Sequence, residues 1–209
     1  MLELYMDPKS VAIAPLILLE EVEADYTISL IDISLGQQNQ SDFIAINPKK
    51  RVPALVTENG VLTETPAIMI YIAQKFGSSS LLGNHDPFIF AKIQEFNSYL
   101  ASTVHVAHAH RLRGSRWTDN YDAIEALKNK VPESMALSID PIENNLHPGS
   151  WVMGNVYTIC DPYLYAVSSW LEDDGVNTKY FPKVIDHRAR VSHRTATKAA
   201  ISRVRLNEN

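Results

Sequence analysis

A chain of 209 residues, with 45% hydrophobic and 21% charged residues, is long enough for one large domain or two small ones and has a globular composition. The net charge of -5 argues against a general nucleic-acid-binding role. No apolar run approaches the ~20 residues of a membrane span, and the N-terminus lacks a signal-peptide pattern. The single cysteine, Cys160, cannot form an internal disulfide. We therefore expect a cytoplasmic protein with no membrane or nucleic-acid partner.

The first 77 residues alternate between strand and helix patterns. Short apolar or alternating runs predict four strands, and two longer apolar segments predict helices. A proline at position 15 is expected to distort the first of these helices. Gly77 is a stop signal for the second. The predicted elements are a strand at 2–6, a helix at 10–24, a strand at 26–33, a polar loop or poorly formed helix at 36–43, strands near 54–57 and 61–63, and a helix at 65–76.

The remainder of the chain is helical in pattern after a polar, glycine-containing linker at 78–86. Apolar residues at three- and four-residue spacing predict a long helix with one buried face. A strongly apolar segment further on is typical of the central helix of a helical domain. Thr158 and Asp161 have the spacing of a reciprocal cap at its start. The predicted helices cover 87–114, 119–138 and 159–170, with two more starting near Pro182 and Thr195.

The junction between the fourth strand and the following helix carries the first candidate site. Thr65 can act as N-cap and Pro66 can fill the first helical position. A helix N-terminus binds a carboxylate, and Glu64 can accept from an ammonium group, so the pair fits an α-amino acid head group. Pro53 does not fit a central strand, and a cis Val52-Pro53 bond would turn the Val52 backbone toward a peptide ligand. The alternative is a helix cap and a strand-edge proline without a ligand.

The first strand-helix junction offers two hydroxyl groups. Ser10 lies where a helix N-terminus points toward a bound group, and Tyr5 is close to it in sequence. A hydroxyl that donates to a thiolate lowers the pKa of the thiol. The alternative for Ser10 is an ordinary helix cap, and for Tyr5 it is packing in the first strand.

Histidine and arginine residues are concentrated between positions 102 and 117. His105 and His108 are three residues apart, the spacing of two metal ligands on one helix face. No cysteine or carboxylate lies one turn away to complete a site, so we expect no metal. His108, Arg111 and Trp117 are candidates for the wall of a cleft, and the alternative is a polar helix face. Cys160 is read as a buried structural residue.

Several motifs, in this order and spacing, resemble the cytosolic glutathione S-transferases, especially bacterial members including the beta class. The resemblance covers essentially the whole chain. It implies an α/β plus all-α fold, with a thioredoxin-like N-terminal domain (1–77) that binds glutathione, a linker (78–86) and a helical-bundle C-terminal domain (87–209) that carries the electrophile site. The motifs are Asn47-Pro48, Val52-Pro53-Ala54-Leu55, the segment from Leu62 to Ile68, Gly154, and the cap from Thr158 to Asp161.

The resemblance also implies roles for individual residues around glutathione. Val52, before a cis Pro53, would pair its backbone with the cysteinyl part, and Glu64 and Thr65 would hold the γ-glutamyl end. The loop lysine of many relatives is here Gln37 or Gln38. Lys49, Lys50 or Arg51 would compensate for that lost charge near the glycyl carboxylate.

The family position for the catalytic cysteine reads Val11 in this chain. Thiol transfer through a cysteine of this turn is therefore not expected. Ser10, one residue earlier, becomes the first candidate for stabilising the glutathione thiolate, and Tyr5 the second. His105 would contact glutathione or the second substrate.

The resemblance implies a homodimeric, detoxifying transferase with glutathione as co-substrate and no metal. The second substrate would be a small hydrophobic electrophile held between the domains. Two alternatives stay open, because fold does not fix function. One is a non-catalytic or ligand-binding protein, and the other is a different glutathione-dependent enzyme such as an isomerase, dehalogenase or peroxidase.

Overall fold

A four-stranded mixed sheet forms the centre of the N-terminal region in the computed structural model, which describes residues 2–207. The strand order is β2-β1-β3-β4. β2 runs parallel to β1, whereas β3 is antiparallel to both β1 and β4. The prediction of four strands is confirmed, although β2 ends three residues earlier than expected. The strands are β1 Leu2–Met6, β2 Tyr26–Leu30, β3 Ala54–Thr57 and β4 Gly60–Thr63.

Three helices accompany this sheet: α1 Ile13–Glu21, α2 Ser41–Ile46 and α3 Thr65–Phe76. Leu2, Leu4 and Met6 of β1 are buried and belong to one apolar core with α1 and α3. The intervening residue Tyr5 instead packs against Phe43 of α2, with ring centroids 5.9 Å apart. Because strand side chains alternate between faces, this separates Tyr5 from the α1 side of the sheet.

The first two helices differ in their boundaries from those expected. α1 begins at Ile13 rather than Ser10, which lies in the preceding turn. Pro15 is consequently the third residue of α1, where its missing N–H leaves no intrahelical bond unmade. At this position Pro15 gives no physical reason for the expected distortion of α1. The polar segment after β2 forms a 3-10 turn at Gln37–Asn39 followed by α2.

The helical region contains six helices within the described residues. The long helix predicted at 87–114 is present as α4 and α5, joined by a π-helical segment at Leu100–Val104. The third helix is longer than predicted and includes Pro132 and Pro141. Across residues 2–207 no helix combines the length and apolarity that crossing a membrane requires. The helices are α4 Pro87–Tyr99, α5 His105–Arg113, α6 Tyr121–Asn145, α7 Cys160–Ser168, α8 Pro182–His193 and α9 Thr195–Asn207.

The buried helix α7 connects the two regions, because it packs against both α1 and α8. The predicted reciprocal cap at its start forms in part. Asp161 accepts from the Thr158 N–H at 2.7 Å, whereas Thr158 Oγ1 accepts from Cys160 N–H at 3.3 Å rather than from Asp161. Asp161 also accepts from the Val152 N–H and from His187 Nε2, each at 2.8 Å. The carboxylate therefore ties α7 to α8 as well as capping it.

Candidate functional site

A cavity of about 310 Å³ opens between the sheet region and the helices α5 and α7. We call it the cleft cavity. One wall comes from the turn before α1, the loop before β3 and the start of α3. The other comes from α5, the 3-10 turn that follows it at Gly114–Arg116, and α7. Each wall carries residues that the sequence marked as candidates, including Ser10, Val52, Pro53, Glu64, Thr65, His105 and His108.

The loop before β3 presents free backbone groups to the cavity. The Val52-Pro53 peptide bond is cis, as the resemblance implied. Neither the N–H nor the C=O of Val52 has a hydrogen-bond partner among the described residues. The buried Asn47 fixes this loop, since its side chain donates to the Arg51 carbonyl at 2.6 Å and accepts from the Lys49 N–H at 3.1 Å. Val52 can therefore pair with an extended peptide.

The start of α3 forms the second part of this wall. Thr65 is the first helical residue, not the N-cap, and Glu64 occupies the cap position with φ 71° and ψ 120°. A positive φ outside glycine costs of order 1–3 kcal/mol and is concentrated at ligand-binding sites. Thr65 is buried, whereas Glu64 is exposed and forms an ion pair with Lys49. The first-turn N–H groups of α3 remain available for an anion.

The turn before α1 places Ser10 and Val11 in the cavity. Ser10 Oγ donates to the Asp7 carbonyl at 2.7 Å and accepts from the Ala12 N–H at 3.2 Å. Its single hydroxyl proton is therefore already used within the turn. The Val11 N–H has no acceptor among the described residues. Two donors thus lie at this turn, of which only the backbone N–H is unengaged.

Tyr5 and Gln37, two of the predicted site residues, do not line the cleft cavity. Tyr5 lies on the α2 side of the sheet, where burial and neighbouring Glu3 raise the pKa of its hydroxyl. Gln37 uses its side-chain oxygen to accept from the Asp32 N–H at 2.8 Å. Gln38 takes its place in the lining, with a buried side-chain oxygen that has no hydrogen-bond partner in the described structure.

His105 and His108 line the cavity on α5 and contact Trp170. The His108 ring stacks on the indole with centroids 4.0 Å apart, and its Nδ1 donates to buried Asp174 at 2.8 Å. His105 lies tilted against the same indole at 5.2 Å. Burial, with positive charge nearby, lowers the pKa of His105 to about 3, so it is neutral at physiological pH. No third metal ligand joins the two histidines within the described residues.

Arg111, the third predicted cleft residue, does not line the cavity. Its Nη1 donates to the Asp173 carbonyl at 2.7 Å, and its Nε lies 3.1 Å from Asp174 Oδ1. Arg111 and His108 therefore share Asp174. Arg111 places a positive charge beside this fully buried carboxylate, and His108 donates a hydrogen bond to it. Arg111 supports His108 rather than contacting a ligand directly.

The lining residues that sequence reasoning missed include Arg113, Arg116, Tyr163 and Trp170. Tyr163 is 1% exposed, and its hydroxyl has no partner among the described residues. Burial and the charge of Glu64 raise the pKa of Tyr163, so the group stays a donor. The indole of Trp170 donates to the Lys9 carbonyl at 3.2 Å, which joins the two walls. In the sequence, the arginine-rich run at 111–116 was the signal that could have pointed to Arg113 and Arg116.

Because His105 is neutral in the folded protein, the free energy of unfolding depends on pH in the acid range. The unfolded chain takes up this proton near pH 6.5, whereas the folded protein resists it until about pH 3. Between these values the unfolded state binds more protons, so stability falls as pH falls, by at most about 1.4 kcal/mol per unit. Urea unfolding at about pH 7 and about pH 5 should show a smaller acid loss in His105→Gln than in the wild type. The exposed His147→Gln variant is the control, and an acid loss unchanged in His105→Gln would contradict the assignment.

Comparisons with known proteins agree with this geometry. The family model described as "Glutathione S-transferase, N-terminal domain" matches residues 2–74. A solved glutathione transferase homologue from Sulfitobacter, with bound glutathione, is 38% identical, with a TM-score of 0.93 and 98% of each chain covered. The glutathione S-transferase GstA of Escherichia coli O157:H7 is 27% identical over 96% of this chain and 98% of its own. The disulfide-bond oxidoreductase YfcG of E. coli K12 is 25% identical over 100% of this chain and 98% of its own.

The fold and site thus define a two-region protein in which a thioredoxin-like sheet and a helical region enclose a polar cavity. The chain belongs to the cytosolic glutathione S-transferase family, bacterial type.

Proposed function

We propose that this protein is a glutathione transferase. It would bind glutathione in the cleft cavity, stabilise the thiolate and conjugate it to an electrophile. The observation that carries the proposal is the convergence of a free peptide backbone at Val52, a helix N-terminus at Thr65 and a carboxylate at Glu64 on one wall. These three groups complement the peptide, the carboxylate and the ammonium group of a γ-glutamyl tripeptide.

Each part of glutathione has a partner in this arrangement. The γ-glutamyl carboxylate would accept from Thr65 and the first turn of α3, and Glu64 would accept from the ammonium group. The cysteinyl amide would pair with Val52. Arg51 lines the cavity without an ion-pair partner in the described structure and would meet the glycyl carboxylate. Arg51 takes the place of Gln37 in the proposed contact with the glycyl carboxylate, because the Gln37 side-chain oxygen accepts from the Asp32 N–H.

The chemistry would be attack by the glutathione sulfur on an electrophilic carbon. A new C–S bond forms while a leaving group departs with its electron pair, or while an activated double bond takes a proton. The protein contributes by positioning and by donors to the thiolate at the Ser10–Val11 turn. The sheet region (1–77) would bind glutathione and the helical region (87–209) the electrophile, across the linker (78–86).

Thiol-disulfide exchange through a protein cysteine is not supported as an alternative. Cys160 is fully buried at the start of α7, with its sulfur 3.7 Å from the Ile93 carbonyl. Burial raises the pKa of Cys160 well above its ordinary value, so it is not a nucleophile. A homodimeric, cytoplasmic, detoxifying protein stays a prediction carried over from the family resemblance.

Isothermal titration with glutathione tests the proposal. We expect the wild type to bind at micromolar to millimolar concentration, and Glu64→Gln to bind at least roughly tenfold more weakly, because a charged ammonium loses its partner. Glu58→Gln is the matched control, since Glu58 is also exposed and also paired with a lysine, Lys75, but lies outside the cavity. Absence of binding in the wild type would leave the fold with a different ligand and would remove the transferase proposal.

A further inference from the structure

Positive charge dominates the cleft cavity of a chain that is acidic overall. Five cationic side chains line it, whereas Glu64 is the one carboxylate among the described lining residues. Glu64 is moreover already paired with Lys49. The chain as a whole carries a net charge of -5, so this concentration does not follow from composition. The five cations are Lys9, Lys50, Arg51, Arg113 and Arg116.

Arg113 and Arg116 differ from the arginines elsewhere in the helical region. Arg188, Arg190 and Arg194 each form an ion pair with a carboxylate. No carboxylate in the described structure lies within 4.0 Å of the guanidinium nitrogens of Arg113 or Arg116.

Arg113 is also half-buried on α5. Burial and the positive charge of Arg51 lower the pKa of Arg113, and burial with the positive charges of Arg113 and Arg51 lowers the pKa of Arg116. Asp7 acts on Arg113 in the opposite sense but lies beyond ion-pair distance. Positive charge held together without a counter-ion is unfavourable, and a bound anion relieves it.

The placement of glutathione proposed above assigns neither of its carboxylates to Arg113 or Arg116. Its carboxylates have partners at the start of α3 and at Lys50–Arg51, both on the sheet side of the cavity. Arg113 and Arg116 belong instead to α5 and the turn after it, on the opposite wall. That wall also contributes apolar surface from Ala101, Val106 and Trp117. The charge there therefore faces the second substrate.

We propose that the electrophile carries an anionic group, a carboxylate or sulfonate, bound by Arg113 and Arg116, on an otherwise apolar body. The proposal rests on the proposed transferase function and narrows the hydrophobic electrophile expected from the family. A guanidinium group suits this role, because its planar donors bind an oxyanion in bidentate fashion. The cationic cavity would also attract such a substrate from solution.

Two stable glutathione conjugates distinguish the contribution of the negative charge to binding from that of the aromatic ring. S-(4-carboxy-2-nitrophenyl)glutathione and its benzoate methyl ester share the glutathione part, the ring and the nitro group, and differ in one negative charge and one methyl group. Both are thioethers, so stabilisation of a thiolate does not contribute to their binding. Each is titrated into the wild type, into an Arg113→Gln/Arg116→Gln double variant and into a Lys179→Gln/Lys198→Gln control. The control removes the same two charges from exposed positions outside the cavity.

The acid should bind the wild type and the control roughly tenfold more tightly than the ester, as a charge-assisted pair predicts. In the arginine double variant this ratio should fall below about threefold. Circular dichroism and the glutathione affinity of the same variant verify that it is folded.

Equal binding of acid and ester to the wild type, or a preference that survives in the arginine double variant, would overturn the proposal while leaving the transferase function intact. Equal losses for both conjugates in that variant would also overturn it, by assigning the arginines to the glutathione part. If glutathione itself does not bind the wild type, the proposed function fails first, and the anionic subsite fails with it.

Discussion

Asp161→Asn is expected to destabilise the protein by about 3 kcal/mol or more, because it mismatches donors around a fully buried carboxylate. Oδ1 accepts from the Val152 N–H and His187 Nε2, while Oδ2 accepts from the Thr158 N–H. Asparagine keeps one acceptor and places an NH₂ group against the donors on the other side. For a chain of this length the melting temperature should fall by roughly 6–12 °C.

Asp186→Asn is the control for this experiment. Asp186 pairs with Arg190 one helical turn away, and its side chain is half exposed. Surface pairs of this kind contribute at most about 0.5 kcal/mol, so its melting temperature should stay within roughly 2 °C of the wild type. Calorimetry on the three proteins gives the comparison. A fall in Asp161→Asn no larger than that in Asp186→Asn would show that the buried network does not stabilise the fold.

The Asp161 network illustrates what local sequence can and cannot predict. The contact with Thr158 was predictable because residues three apart meet in the first turn of a helix. The contact with His187 was not, since the two residues are 26 positions apart and only the packing of α7 on α8 joins them. A short-range pattern therefore identified the cap but not the link between helices.

The same distinction explains the errors in element boundaries. The apolar run from Val11 onward continues the helical pattern, but the turn held by Ser10 and Asp7 delays the start of α1 to Ile13. α6 continues through Pro141, although proline removes an intrahelical donor. Packing of α6 against α5 and α8 accompanies that longer helix. Tertiary contacts thus outweigh local propensity at these ends.

The two walls of the cavity were predictable to very different degrees. Val52, Glu64 and Thr65 lie within 14 residues of each other along the chain, and turn and cap chemistry identified all three. Arg113 and Tyr163 come from α5 and α7, and their place in the cavity depends on how those helices pack. The sheet-side wall was therefore largely available from the sequence, whereas only His105, His108 and Trp117 of the opposite wall were.

Ser10→Ala should impair conjugation, whereas Tyr5→Phe should not. Both hydroxyls were candidates for stabilising the thiolate, but only Ser10 lines the cleft cavity, beside the unengaged Val11 N–H. Ser10 can give its proton to sulfur only by releasing the 2.7 Å bond to the Asp7 carbonyl. The same bond and the one from Ala12 hold the turn that presents Val11, so alanine removes a donor and loosens its neighbour.

We expect Ser10→Ala to lower kcat/KM for chlorodinitrobenzene about 10- to 100-fold and to raise the pKa of bound glutathione by about 1–2 units. Tyr5→Phe should stay within roughly threefold of the wild type, because its hydroxyl lies on the other face of the sheet. The thiolate absorbance of bound glutathione across a pH series measures the pKa directly. An unchanged thiol pKa in Ser10→Ala, with a large rise in Tyr5→Phe, would reverse the assignment and require the sheet region to rearrange when glutathione binds.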